Sequence, residues 1–186
     1  MKRLAVILYA LLVFAISGIA QEVSFEEKKK IAQEYGYTKD NKDNIEAIYI
    51  IHLLKQNPLM SENDSRELKL KLFAWIQDTE DVMVYYDSPE AKEIEISNFP
   101  YKKNLLQQYI NGCSIFDLLN PDKMKDAKAD IPMGMKFVCE AYEKIVTTTN
   151  TPSHYYYEAQ CEKYLGRRTA KGIAEANSKN AKNNNK

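Results

Sequence analysis

The chain has 186 residues, 45% of them apolar and 28% charged, with 26 basic and 26 acidic side chains. That length suits one domain built on one core. The charge balance argues against a nucleic-acid-binding domain, whose affinity comes largely from Lys and Arg on phosphate, and six glycines leave little for a phosphate-cradling loop.

Residues 1–20 read as a cleavable signal peptide. Lys2 and Arg3 form a basic start, and Leu4 to Ile16 are apolar apart from the phenol of Tyr9. Gly18 and Ala20 then stand at the −3 and −1 positions of a signal-peptidase site. The apolar run is shorter than the ~20 residues that span a bilayer. The expectation is export, to a periplasm or to the medium, with no stable membrane span after cleavage. Loss of Lys2 and Arg3 leaves 21–186 with a net charge of −2. Within it, 167–186 holds six basic residues and one acid, Glu175, for a charge of +5; the body over 21–166 therefore carries about −7. The Asn and Ala content of 167–186 predicts a polar, basic, disordered tail.

Along the body, Ser24 followed by Glu27 has the spacing of a capping box, and Gly36 ends the helix it starts. Asp43 and Glu46 repeat the spacing before the apolar run Ile48 to Leu54, which only His52 interrupts. The start signal and length favour helix over strand. Ser61 or Asn63 opens a third helix with Leu68, Leu72, Trp75 and Ile76 at helical spacing. Asp78 to Asp81 predicts a break followed by a short helix through Tyr86, and Ser88-Pro89 is another start. Alternation at Leu68, Leu70 and Leu72, and at Ile94 and Ile96, leaves a small β-hairpin within about 68–98 as the alternative.

The last third is the most regular. Leu105, Tyr109, Cys113 and Phe116 form one apolar stripe, and Met135, Val138, Tyr142 and Ile145 a second. Tyr157, Cys161, Tyr164 and Leu165 form a third, entered through Thr151-Pro152 and closed by Gly166. The predicted architecture is an all-α compact bundle of five to seven helices with an antiparallel C-terminal helical core.

Export would place the three cysteines in an oxidising compartment. Cys139 and Cys161 are equidistant from residue 150, the centre of the turn at 147–153, so in a helical hairpin they lie at one level. They are the disulfide candidates, with Cys113 the unpaired thiol. A Cys113–Cys139 link and no internal disulfide stay open as alternatives.

Chemistry-bearing patterns are weak. GxSxG, HExxH, P-loop and GxGxxG motifs are absent. His154, Glu158 and Cys161 share a helical face with ligand-type side chains, but a cap histidine and an oxidised thiol explain them without a metal. His52 reads as a hydrogen-bonded boundary histidine rather than a general base, and Glu93/Glu95 and Glu140/Glu143 as solvated acids. No catalytic, cofactor or metal site is assigned. Tyr155, Tyr156 and Tyr157 cannot all face one core, since successive side chains on a helix diverge by about 100°. They are the candidate interaction surface. The functional expectation is a non-catalytic protein-binding module, an adaptor or an inhibitor of the immunity type, whose partner is another protein. A carrier of a small apolar ligand is the alternative, and a hydrolytic enzyme the third reading. A pocket lined by Ile48, Met135, Val138 and Tyr142 would mark the carrier. A histidine beside a carboxylate in a cleft would mark the enzyme.

Overall fold

A computed structural model describes residues 23–183. The signal-peptide reading of 1–20 lies outside them. Eight helices make up the described chain, with no strand among them. They are α1 (Phe25–Glu34), α2 (Lys42–Gln56), α3 (Glu62–Asp78), α4 (Pro89–Ile96), α5 (Lys102–Leu119), α6 (Ile131–Thr148), α7 (Tyr155–Leu165) and α8 (Ala170–Asn183). Seven of them fall within 21–166, and the hairpin alternative near 68–98 is absent.

Local signals explain most of the starts. Ser24 accepts from the Glu27 N–H while Glu27 accepts from the Ser24 N–H, a complete capping box. Ser61 and Ser88 cap α3 and α4, the latter with Pro89 in the first turn. Gly166 closes α7 in the left-handed region, with φ 69°, where a Cβ would be strained. Two starts move. The α2 cap is Asn41, whose Oδ1 accepts from the Asp43 and Asn44 N–H groups. The last stripe begins at Tyr155, and Thr151-Pro152 lies in the non-helical run before it.

The short helix expected after Asp81 does not form. Residues 79–88 cross the bundle as an irregular strap. Distant side chains hold its polar groups: the Asn44 amide donates to Asp81 at 2.7 Å, and Asp117 accepts from the Met83 N–H at 2.8 Å. The Met83 N–H is thereby taken out of any local helical ladder.

Helices α5 and α6 form the spine. Their contacts pair Gly112 with Met133 and Gly134, and Cys113 with Asp130, an antiparallel register. Both helices are apolar on more than one side, as buried central helices are. One face, with Leu105, Tyr109, Met135, Val138 and Tyr142, joins α4 and α7 in a first core cluster. The other, with Ile115, Leu118 and Phe137, joins α1, α2 and α3 around Ile45, Ile48 and Ile51 in a second. No helix among the described residues is long and apolar enough to cross a membrane.

The segment expected to be a disordered tail carries α8. Its anchorage is polar rather than apolar. Thr169 caps it, accepting from the Gly172 N–H at 3.0 Å. Thr169 in turn donates to the buried Glu158 through its N–H at 2.9 Å and its hydroxyl at 2.6 Å. Composition underestimates such a helix because one buried acceptor, 11 residues away, holds its first turn. A Cβ on Gly172 would collide with the Glu158 carboxylate. Gly172→Ala is therefore expected to release α8 while leaving the bundle folded. Far-UV circular dichroism should lose helix, and amide exchange over 170–183 should rise with the remaining protection unchanged. Unchanged protection in α8 would refute the anchoring role.

Candidate functional site

Three places gather polar or reactive groups. The first lies between α2 and α3. Asn44 is 2% exposed and works as a hub. Its amide donates to the Tyr37 hydroxyl at 2.9 Å as well as to Asp81, and its oxygen accepts from the Trp75 indole N–H at 3.2 Å. This network sets Trp75 against a cleft of about 510 Å³ lined by Asp43, Glu46, Lys71, Asp78 and Glu80 among others. Four carboxylates face one ammonium. Lys71 is drawn to Glu67 at 2.9 Å, and Glu46 is paired with Lys28 at 2.6 Å. The cleft is thus acidic with one aromatic wall. The same helix turns Leu72 inward and leaves Leu70 and Phe73 exposed, 60% and 51%, on a side turned away from the Lys71 and Trp75 that line the cleft. The helical stripe read from the sequence covers only the inward residues; Leu70 and Phe73 fall off it, a signal already visible in their spacing.

The second place is the start of α7. Tyr155 is 85% exposed and stacks on the His154 ring at 5.3 Å. Tyr156 is half-buried, edge-on to Tyr157, and burial pushes its phenol well above the ordinary range. Tyr157 is fully buried, shares a 2.9 Å hydrogen bond with the Ser97 hydroxyl, and packs on Phe99 and Tyr142. The three tyrosines therefore have three different environments, and only Tyr155 is a surface residue.

His154 and Glu158 line a cleft of about 620 Å³ with Arg168 and Glu175, the setting in which a histidine–carboxylate pair would mark an enzyme. The hydrogen bonds run elsewhere. His154 Nε2 meets the Asn98 oxygen at 2.8 Å. Glu158 accepts from the Tyr142 hydroxyl at 3.0 Å and from Thr169, and Glu175 accepts from the Ser153 hydroxyl at 2.5 Å. Burial lowers the His154 pKa, which favours a neutral imidazole. The other candidates are also engaged: His52 Nδ1 with the Tyr35 hydroxyl at 3.5 Å, Glu140 with Lys55 at 2.9 Å, and Glu143 with Arg167 at 2.6 Å. Among the described residues, no three His, Cys, Asp or Glu side chains are arranged to hold a metal ion.

The third place is the core around the cysteines. All three are free thiols, so the expected Cys139–Cys161 disulfide is not formed in this structure. Cys161 Sγ lies 3.9 Å from the Cys139 carbonyl, to which it donates. A hydrogen bond with the Cys139 thiol, together with burial, pushes Cys161 far above its ordinary pKa. Cys113 points instead at the Asp130 carbonyl, 3.9 Å away. Nearby are two buried acids that sequence reasoning missed, Asp117 and Asp130, 1% and 2% exposed. Asp117 follows Tyr109 and Cys113 at intervals of four residues, so its place on a buried face was open to inspection.

No protein-family model matches the chain, and neither the curated proteins nor the solved structures contain a detectable relative.

Proposed function

We propose that this chain is an exported, non-catalytic protein-binding module, an adaptor or an inhibitor of the immunity type, and that it binds through the outer side of α3 and the adjoining cleft. The observation that carries this reading is the exposure of Leu70 and Phe73 on α3, with the acid-lined cleft further round the same helix at Lys71 and Trp75. Apolar side chains left out of a helix's own core and rimmed by charge are the anatomy of an interface. The occupant is a segment of another protein that lays apolar side chains on Leu70 and Phe73 and reaches round α3 with a Lys or Arg. Its cation complements the cleft carboxylates and the body charge of about −7, and Trp75 supplies an aromatic partner for it.

The other two readings draw less support. Met135, Val138 and Tyr142 are fully buried in one core cluster and Ile48 in the other, so they do not line one ligand cavity. Neither histidine is hydrogen-bonded to a carboxylate.

Photo-crosslinking in the native cell tests the proposal. With a photoreactive residue at position 73, one discrete adduct is expected, lost on Leu70→Glu, while the same probe at the exposed Glu62 gives none. A surface glutamate is expected to change stability by no more than about 0.5 kcal/mol, so the thermal midpoint serves as the folding control. Absence of an adduct at 73, or an equal adduct at 62, overturns the interface. N-terminal sequencing of the exported protein should begin at Gln21; a cytoplasmic chain starting at Met1 overturns export.

A further inference from the structure

We infer that Cys139 and Cys161 are an oxidisable pair, joined as a disulfide in the mature protein, and that this bond fastens α7 to α6 beside the anchor of α8. The inference draws on the export reading only for the supply of oxidant in the cell.

The register of the two helices carries it. Contacts across the α6–α7 seam pair Tyr142 with Glu158 and Cys139 with Cys161. Both thiols are buried, 0% and 1% exposed, and each lies in the same core cluster. The Cys161 thiol already lies 3.9 Å from the Cys139 carbonyl, to which it donates. Closure of the bond thus joins neighbouring residues and needs no shift of register.

Cys113 is excluded from the link by the other seam. Across α5–α6 it stands level with 130–134. Cys139 lies five to nine residues further along α6, or about 7.5–13.5 Å at 1.5 Å per residue. That range exceeds the ~7 Å Cα separation that a disulfide bridges, and the Cys113 side chain is directed at Asp130.

The chemistry balances with an external disulfide as oxidant, either the active-site disulfide of a thiol oxidoreductase or oxidised glutathione. One cysteine thiolate attacks the oxidant, forms a mixed disulfide and expels one thiolate. The second cysteine thiolate then attacks the protein sulfur, forms the Cys139–Cys161 bond and expels the other. Two protons and two electrons leave the protein, and the oxidant becomes two thiols. In the folded chain both sulfurs are out of reach of such a reagent. Oxidation therefore precedes closure of the seam, and the finished bond is shielded from reductant. Glu158, which holds Thr169 and so the first turn of α8, lies within one helical turn of Cys161. Tethering that turn keeps the acceptor for α8 in place.

The test is refolding of the denatured, reduced chain in a glutathione redox buffer. The expected product is about two mass units lighter than the reduced protein. Its linked peptides contain Cys139 and Cys161, and Cys113 alone is alkylated in denaturant. The Cys113→Ala variant should oxidise as fully as the parent, and Cys161→Ala should not. Oxidation should raise the thermal midpoint by about 10 °C. Three alkylatable thiols after refolding, or a link containing Cys113, overturns the inference. A chain that oxidises in vitro but is recovered fully reduced from cells overturns the bond in the mature protein and the supply of oxidant that export would give, and leaves only the proximity of the two thiols upheld.

Discussion

Replacing Gly112 by alanine is expected to cost about 3 kcal/mol of stability, near the top of the range for overpacking a buried site. The cause is the closeness of two backbones. A Cβ on Gly112 would stand 2.5 Å from the Met133 carbonyl oxygen and 2.8 Å from the Gly134 Cα. Neither atom belongs to a side chain that could rotate away. Gly134 faces the same problem from the other helix, since its Cβ would lie 2.7 Å from Cys113 Sγ and 2.9 Å from the Tyr109 ring. The two glycines let α5 and α6 touch main chain to main chain. Any side chain there must part the helices that carry both core clusters. Alanine's better helix propensity returns only about 1 kcal/mol. Denaturant unfolding measures the balance. A variant as stable as the parent would mean that α5 and α6 separate without cost, and the spine would lose its rationale.

Asp117→Asn should act in the opposite direction, and only above mild acidity. Burial raises the Asp117 carboxyl from 3.8 to about 7; the Met83 N–H opposes the rise, and the charge of Asp130 adds to it. A carboxyl whose folded pKa exceeds its unfolded value binds a proton more tightly when folded. Its contribution to stability is complete below about pH 4 and is lost as pH rises through about 7. Ionising it in the folded protein costs up to about 4 kcal/mol at 1.36 kcal/mol per pH unit. The parent should therefore weaken between pH 5 and 8, and the Asn variant should stay nearly level and be the more stable at pH 8. Asn keeps the oxygen that accepts from the Met83 N–H, so the strap at 79–88 remains attached. Asp130, which burial also raises, and His154, which burial lowers, contribute to any slope that persists in the variant. Denaturant titrations of both proteins across that pH range decide it. Parallel pH profiles would show that Asp117 does not titrate there.

What was legible in the sequence was local. Ser24 with Glu27, Ser61, Ser88-Pro89 and Gly166 mark helix ends because a cap satisfies backbone groups within three or four residues of itself. The stripes of α5, α6 and α7 declared their buried faces because apolar periodicity survives whatever the partner is. The antiparallel level of Cys139 and Cys161 came from the same arithmetic. The triple tyrosine, by contrast, supported only the statement that the three could not share one environment.

Tertiary structure decided the rest, wherever a group's partner lies far along the chain. Residues 79–88 carry a plausible helix signal, yet Asn44 and Asp117, each more than thirty residues away, hold them as a strap. Residues 170–183 are poor in apolar side chains, yet one buried Glu158 gives them a first turn to grow from. The proton affinity of Asp117 depends on being enclosed, which its neighbours in sequence do not reveal. By itself the sequence determined most helix ends and the faces that the regular helices bury. Only the folded chain decided which polar groups meet, because those meetings depend on distances that local spacing does not encode.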